Sequence, residues 1–413
     1  MRILMITSVY RDESLENTDT STNIVNSFVK EWKKQGHEVL VIHNSHCYPR
    51  VVHYIPKKLK KYLAAKMGFA IADFSAVKRK DYQDNGVKIF RLPIKKYVPH
   101  SQPSFGVIKR QVSRITDILK KEEFEPDIIT GHWASPQMEI ISELKTLYHC
   151  RTAVVLHGTG YIGSSKFNAI KYLANIDALG ARSLSQAKQI KELLHLEKTP
   201  FVCNSGVPDE YLKNYSLNTD KYTEIKTWKV TYVGRLVSYK NIDATIKALS
   251  QIDDVNWEFN IVGEGASRAK LEELAQKLNC ADKVHFWGRV SREKVMQILN
   301  DSHIFVMISK NEIFGLVYLE AMAASCLTIA SKDGGVDGII INEKNGFLCS
   351  EGNDYELNRI IEDIIKSDSG TLQTIVEDAY RTVQEYTDYK VAEKYLKIIE
   401  GNMENDGCTI GNN

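Results

Sequence analysis

At 413 residues the chain is too long for one ordinary hydrophobic core and suits two domains of about two hundred residues each. Its 43% hydrophobic and 26% charged residues and net charge of +2 are those of a soluble globular protein, and no apolar run approaches the ~20 residues needed to cross a bilayer. The seven cysteines are scattered, with no C-x-x-C and no even pairing pattern, which argues against a disulfide scaffold or zinc site and points to a reducing cytoplasm.

The opening MRILMITSVYRDE carries only a short apolar run before charges arrive, so it reads as a first strand and not as a signal peptide. RILMITSVY and HEVLVIHN are predicted strands separated by a helix over 21–35. Between 51 and 100 there are twelve Lys or Arg residues against three Asp or Glu. Within it, residues 55–69 set Ile55, Leu59, Tyr62, Leu63, Met67 and Phe69 at spacings of three and four, flanked by lysines. Such a helix either lies on an anionic membrane surface or packs its apolar stripe on the domain core. No groove-reading or aromatic-interleaved motif accompanies the charge, so nucleic acid is not an expected partner.

VKIFRLP, PDIITGHW and TAVVLH follow as strands with helices between them. Alternating strands and helices mean a parallel sheet with crossover connections, and ligands gather at the carboxyl ends of its strands. Three such ends stand out: 10–22, Gly131-His132-Trp133, and His157-Gly158-Thr159-Gly160. His157 ends VVLHG, and the glycines after it let a backbone approach a ligand closely; a strand-end histidine satisfied by local backbone is the plainer alternative. His132, Trp133 and Tyr161 are candidate acceptor contacts or core packing. Ala178–Ala181 and PFVCNSGVP close this half, and the polar, aperiodic stretch 214–228 reads as the connection between domains.

The second half repeats the pattern with WKVTYVG, EFNIVG, KVHFWG, HIFVMI and CLTIAS. VTYVGRL ends a strand, SYKN makes a loop and IDATIKAL starts a helix, so Arg235 and Lys240 flank a helix start where two cations can grip a diphosphate. Gly263 and Gly265 in VGEG resemble a dinucleotide fingerprint, but Arg268 occupies its third glycine position. In SKNEIFGLVYLEAMAAS a buried strand, a short loop and a helix from Gly315 leave free amides at a helix N-terminus, where an anion binds. Glu312 on the loop and Glu320 in the second helical turn flank that site; carboxylates repel phosphate but accept hydrogen bonds from hydroxyls. A ligand with a phosphate in the middle and polyols on both sides, such as a nucleotide sugar, fits.

VGRL-x3-KN, VGEG, E-x7-E and LEAMA, in this order, resemble the retaining glycosyltransferases of family 4, strongly over 230–349 and weakly over the first two hundred residues. The resemblance implies the GT-B fold: α/β, with two Rossmann-like domains facing an interdomain cleft. It implies that Arg235 and Lys240 contact the diphosphate of the sugar donor, that Glu312 contacts hydroxyls of the transferred sugar, and that Glu320 contacts the ribose. By the same likeness the backbone of Phe314, Gly315 and Leu316 holds the diphosphate, Gly263 lies near the sugar donor, and Arg289 and Val290 lie near the base. His157 would contact the transferred sugar. Two departures stand out: Ile313 follows the first glutamate where glycine is common, and Gly338 stands where GG-x-x-E usually has its acid.

The expected layout is an acceptor-binding domain over 1–208, a domain binding the sugar donor over 209–380, a helix over 381–400 crossing back, and a disordered tail over 401–413. The expected activity is transfer of a hexose or N-acetylhexosamine from a UDP-sugar, rather than a GDP-sugar, to a lipid-linked or oligosaccharide acceptor in bacterial surface-polysaccharide synthesis. No cofactor or metal is expected, since no D-x-D pair stands where a metal site would need it. The expected place is the cytoplasm, with peripheral contact to the inner face of the plasma membrane through 55–69. The alternatives are an inactive GT-B accessory subunit, signalled by Ile313 and Gly338, and a sugar-nucleotide epimerase or phosphorylase.

Overall fold

A computed structural model describes residues 1–10, 24–49, 52, 54–56, 59–60, 78–96, 102–160, 162 and 167–402. Tyr161, most of the basic stretch 55–69, most of 10–22 and the tail from 403 onward lie outside the described residues. The chain forms two compact units: one of 1–182, 186–203 and Val391 onward, the other of 183–185 and 204–390.

Unit 1 begins with β1 (Arg2–Thr7), α1 (Ile24–Lys34), β2 (Glu38–Cys47), β3 (Lys80–Asp84) and β4 (Val87–Lys95). It continues with α2 (Phe105–Lys121), β5 (Ile128–His132), α3 (Gln137–Tyr148), β6 (Arg151–Leu156), β7 (Ala178–Ala181), α4 (Leu184–Leu193) and β8 (Phe201–Val202). The sheet order is β3-β4-β2-β1-β5-β6-β7-β8, parallel except for the antiparallel β3–β4 pair. β1 and β6 are buried at every position but the first, because helices cover both faces of a parallel sheet. In α1, Val25, Phe28, Val29 and Trp32 recur at helical spacing and face that core.

Unit 2 contains β9 (Trp228–Val233), α5 (Ile242–Leu249), β10 (Trp257–Val262), α6 (Arg268–Lys277), β11 (Val284–Gly288) and α7 (Arg292–Asn300). After these come β12 (Ile304–Met307), α8 (Leu316–Ala323), β13 (Leu327–Ser331), β14 (Phe347–Cys349), α9 (Asp354–Lys366) and α10 (Ser369–Gln384). Its strand order is β11-β10-β9-β12-β13-β14, all parallel. β12 lies beside β9, so the loops after these two strands emerge side by side at the carboxyl edge of the sheet.

Two expectations are corrected. The stretch 214–228 is part of unit 2 and not a free connection. Lys221 Nζ donates to the carbonyls of Ser302 at 2.6 Å and Ala324 at 3.0 Å, and the Tyr222 hydroxyl lies 2.7 Å from His303 O. Polar side chains there cap carbonyls at the helix ends before β12 and β13, a role that aperiodic sequence does not reveal. The helix expected over 381–400 is not continuous: 381–384 ends α10, and a separate helix follows, α11 (Asp388–Glu400). The break admits a short parallel bridge, with Val207 N donating to Tyr386 O and Asp388 N to Val207 O. The C-terminal part of α11 packs on unit 1, where Trp32 Nε1 donates to Ala392 O and the Tyr395 hydroxyl meets Thr130 Oγ1. Among the described residues no helix is long and apolar enough to cross a membrane.

Candidate functional site in unit 2, and a histidine pair in unit 1

The first wall of the unit 2 site is the turn after β9. Lys240 ends a 3-10 turn, Ser238–Lys240, and Asn241 takes the left-handed conformation at φ 52 before α5 starts. The turn is pinned to the end of β12: Asn241 Nδ2 donates to Ile308 O at 2.8 Å and Lys310 N to Tyr239 O at 2.7 Å. Arg235 sits at the mouth of this turn, exposed, with its guanidinium donating to the Tyr239 hydroxyl at 2.8 Å.

The second wall is the loop after β12. Glu312 forms an ion pair with Lys240, and each of these side chains is only 13% exposed. The Lys240 ammonium also lies 3.9 Å from Met307 Sδ. Gly315 caps α8 at φ 77, and the first-turn amides of an α-helix have no intrahelical acceptor, so the helix start carries partial positive charge. Phe314 is buried, and a Cβ at Gly335 would lie 2.4 Å from its carbonyl oxygen, so the glycine pair after β13 is required for the 314–316 turn to pack. Glu320 is buried in α8 and accepts from Arg292 at 2.6 Å. Ile313 is exposed at 40%, open to whatever occupies the loop's outer face.

Lys240 and Glu312 therefore touch, with Arg235 on the same turn as Lys240. Glu320 is engaged by Arg292, which the sequence reading missed. Arg292 is the first residue of α7, whose N-cap Ser291 accepts from Lys294 N; the capping pattern marks the helix start but not where Arg292 reaches. Gly263 has a packing role: at φ 133, a Cβ there would sit 1.9 Å from Gly234 O, so the VGEG loop lies directly on the GRL turn. Leu236 N to Glu264 O at 3.0 Å and Ser267 N to Leu236 O at 2.9 Å fasten the two loops. Exposed Arg289 and half-buried Val290 follow β11, and Gly288 O ties their loop to Gly263 N at 2.8 Å.

In unit 1 the carboxyl ends of β5 and β6 place His132 and His157 together, Nδ1 to Nε2 at 2.9 Å, and Trp133 stacks on His157 with ring centroids 4.1 Å apart. His132 is fully buried against Phe28 and Tyr395. Burial, reinforced by Arg182, holds its pKa well below the ordinary histidine value, and burial does the same for His157 with His132 and Arg182 adding. Both rings are thus neutral. His132 Nε2 meets no hydrogen-bond partner among the described residues. A buried unpaired N–H costs more than an unpaired lone pair, so His132 carries its proton on Nδ1 and donates to His157 Nε2. That leaves the His157 proton on Nδ1. Trp133 holds φ 72, a left-handed backbone at a bulky residue. The candidate sequence positions Tyr161 and 55–69 add nothing here, being outside the described residues or largely so.

Among the described residues no cluster of three or more His, Cys, Asp or Glu could hold a metal ion. The unit 2 site instead gathers two cations and a helix N-terminus with a carboxylate on either side, an arrangement suited to a phosphate flanked by hydroxyls.

Residues 218–382 match the family described as glycosyl transferases group 1. Over 411 residues the chain is 24% identical to a putative teichuronic acid biosynthesis glycosyltransferase of Bacillus subtilis, covering 93% of this chain and 94% of the relative. Other curated relatives are matched over 66%, 63% and 45% of their own lengths, so the chain spans two thirds or less of them. A glycosyltransferase from Rickettsia africae superposes at TM-score 0.68 with 19% identity, covering 98% of this chain and 99% of that one. An Anabaena protein solved with UDP and glucose superposes at 0.63 with 17% identity over 97% of this chain and all of that one. The chain has the GT-B fold, and its residues 218–382 are similar to the glycosyl transferases of group 1.

Proposed function

We propose that the protein is a retaining glycosyltransferase of family 4. It moves a hexose or N-acetylhexosamine from a nucleotide-diphosphate sugar, UDP-linked rather than GDP-linked, to a lipid-linked or glycan acceptor. Its setting is bacterial capsule, exopolysaccharide or lipopolysaccharide assembly at the cytoplasmic face of the membrane. The observation that carries the reading is the Lys240–Glu312 ion pair, inside the stretch similar to group 1 and on the loop leading to the N-terminus of α8. The Bacillus subtilis relative supports the polysaccharide setting, and the Anabaena protein solved with UDP and glucose supports the choice of base.

The resting ion pair supplies the mechanism. On binding, the diphosphate draws Lys240 toward itself, with Arg235 and the amides of 314–316 adding positive charge; Glu312 is released to accept hydrogen bonds from the sugar. Glu320, held by Arg292 through one carboxylate oxygen, offers the other to the ribose hydroxyls. As the anomeric C–O bond breaks, negative charge grows on the leaving diphosphate, where these groups bind it more strongly than in the ground state. The acceptor hydroxyl attacks the same face of the sugar and its proton passes to the leaving phosphate. No cofactor enters the scheme. The sugar contact that the resemblance assigns to His157, and acceptor contacts by His132, Trp133 and Tyr161, are separate proposals, each tested by substitution in the same assay.

The test is incubation of the purified protein with labelled UDP- and GDP-sugars and a membrane extract as acceptor, following release of nucleotide diphosphate. Release that requires acceptor is expected with a UDP-sugar. Binding without turnover would mark an accessory subunit, and a changed sugar without diphosphate release would mark an epimerase.

A further inference from the structure

Unit 1 contains a second site that the donor chemistry does not use. A cavity of about 730 Å³ lies where β2 and β4 end and α2 begins, the edge of a parallel sheet at which ligands gather. That volume is within the range of small-molecule sites. Among the described residues that line it, six are cationic, Lys78, Arg79, Lys95, Lys96, Arg110 and Arg114, and none is acidic. Arg79 pairs with Asp81 at 2.9 Å.

Neutral groups hold the Arg114 guanidinium in place. Arg114 donates to Pro93 O at 3.3 Å and to Gln111 Oε1 at 3.4 Å, and buried Gln111 is itself anchored by donating to Asn44 Oδ1 at 2.7 Å. Lys96 is fixed through its backbone to Cys47 O, and burial pushes its ammonium pKa down against the opposing pull of Glu139. Like charges concentrated in a concave, part-buried space repel one another unless an anion enters. A carboxylate would leave most of this charge unbalanced; a diphosphate with its two to three charges and forked oxygens matches several Lys and Arg groups at once. The same lining carries apolar Pro49, Pro93, Ile94 and Val107. An anion joined to an apolar chain uses both parts.

We propose that this cavity binds a diphosphate carried on an apolar chain, the linkage through which a lipid-linked acceptor is joined to its carrier. The assignment to the acceptor rests on the transferase reading above; the phosphoryl site itself does not.

The experiment is calorimetric titration of the full-length protein with farnesyl diphosphate, with inorganic pyrophosphate, and with vesicles of phosphatidylglycerol in phosphatidylcholine. Each titration is repeated on the double variant Lys95→Gln/Arg110→Gln, at exposed positions whose replacement leaves the core untouched, and on Lys240→Ala in unit 2. Farnesyl diphosphate is expected to bind at least tenfold more tightly than pyrophosphate, to lose at least tenfold in the double variant, and to stay within twofold in Lys240→Ala. Equal affinity for pyrophosphate would replace the lipid carrier by free phosphate and overturn the proposal. So would binding only to the vesicles, which would make the cavity a membrane contact, or loss of farnesyl diphosphate binding in Lys240→Ala but not in the double variant. No saturable farnesyl diphosphate binding alongside turnover of a UDP-sugar sinks this inference alone; binding as expected with no turnover of any nucleotide sugar sinks the transferase reading alone.

Discussion

Replacing Glu312 by Gln separates the two jobs assigned to the Lys240–Glu312 pair. At 13% exposure each, the two side chains interact in a medium of effective dielectric ~20, where unit charges ~4 Å apart attract by about 4 kcal/mol before desolvation is counted. Part of that attraction is surrendered when a diphosphate recruits Lys240. Gln keeps the shape and hydrogen-bonding capacity but removes the charge, so UDP alone should bind Glu312→Gln more tightly than wild type. A net gain of about 1 kcal/mol corresponds to roughly fivefold in Kd. Turnover should move the other way, falling on the order of 100-fold, because a misplaced sugar loses its near-attack geometry. Lys240→Met removes a charge-assisted contact of about 1.5–3 kcal/mol and should weaken UDP by roughly 10- to 150-fold. Calorimetry with UDP and initial rates with the UDP-sugar read the two effects, and thermal melts confirm folding, with Lys240→Arg as the conservative control. If Glu312→Gln weakens UDP as Lys240→Met does, the carboxylate is scaffolding for the turn and the proposed exchange of partners is wrong.

Other outcomes follow from unit 1 and from the loop packing. Glu139 is buried with one oxygen accepting from Ser135 and the other unpartnered among the described residues, and burial raises its pKa from 4.5 to about 7. A raised carboxyl pKa means stability is full below about 4.5 and is lost as pH rises through about 7. The linkage of ~1.4 kcal/mol per pKa unit makes Glu139→Gln gain about 3 kcal/mol on wild type between pH 4.5 and pH 8, starting about 1–2 kcal/mol below it at pH 4.5 because of the buried amide N–H. A pH-independent difference between the two melts would contradict the assignment. The histidine pair predicts a neutral Nδ1–H tautomer for His157 near neutral pH, read from imidazole nitrogen shifts, and its loss toward the usual tautomer mixture in His132→Phe; an Nε2–H tautomer in the wild type would reverse the hydrogen bond. Gly263→Ala brings a methyl within 1.9 Å of Gly234 O and should destabilise unit 2 by about 3 kcal/mol or more, with UDP affinity falling as the GRL turn shifts. Wild-type melting and UDP affinity together would refute the loop-on-loop contact.

Much of unit 2 is legible because its strands are short apolar runs that end in polar or glycine-bearing turns, and these put Arg235, Lys240 and Glu312 on strand-end loops. The contact between Lys240 and Glu312 follows from β9 and β12 being neighbours, which strand order alone does not dictate from sequence. Arg292 was not legible, because a surface-looking arginine at a helix start gives no sign that it reaches a carboxylate on the next helix. Lys221 and Tyr222 looked like linker since polar residues that cap carbonyls are indistinguishable by composition from solvated ones. The helix break at 385–387 is set by the bridge to Val207, a contact between residues far apart in sequence. The charge excess of 51–100 was visible as a number, yet its described cations Lys78, Arg79, Lys95 and Lys96 meet Arg110 and Arg114 of α2 only once β4 and the helix pack.

A crystal structure of the protein with UDP tests the central claim most directly. The account predicts the β-phosphate within hydrogen-bonding distance of Lys240 Nζ, the Arg235 guanidinium and the amides at the start of α8, with the ribose hydroxyls on Glu320 and the Lys240–Glu312 pair opened. UDP bound elsewhere in unit 2, with Lys240 still paired to Glu312 and Glu320 out of reach of the ribose, would contradict it.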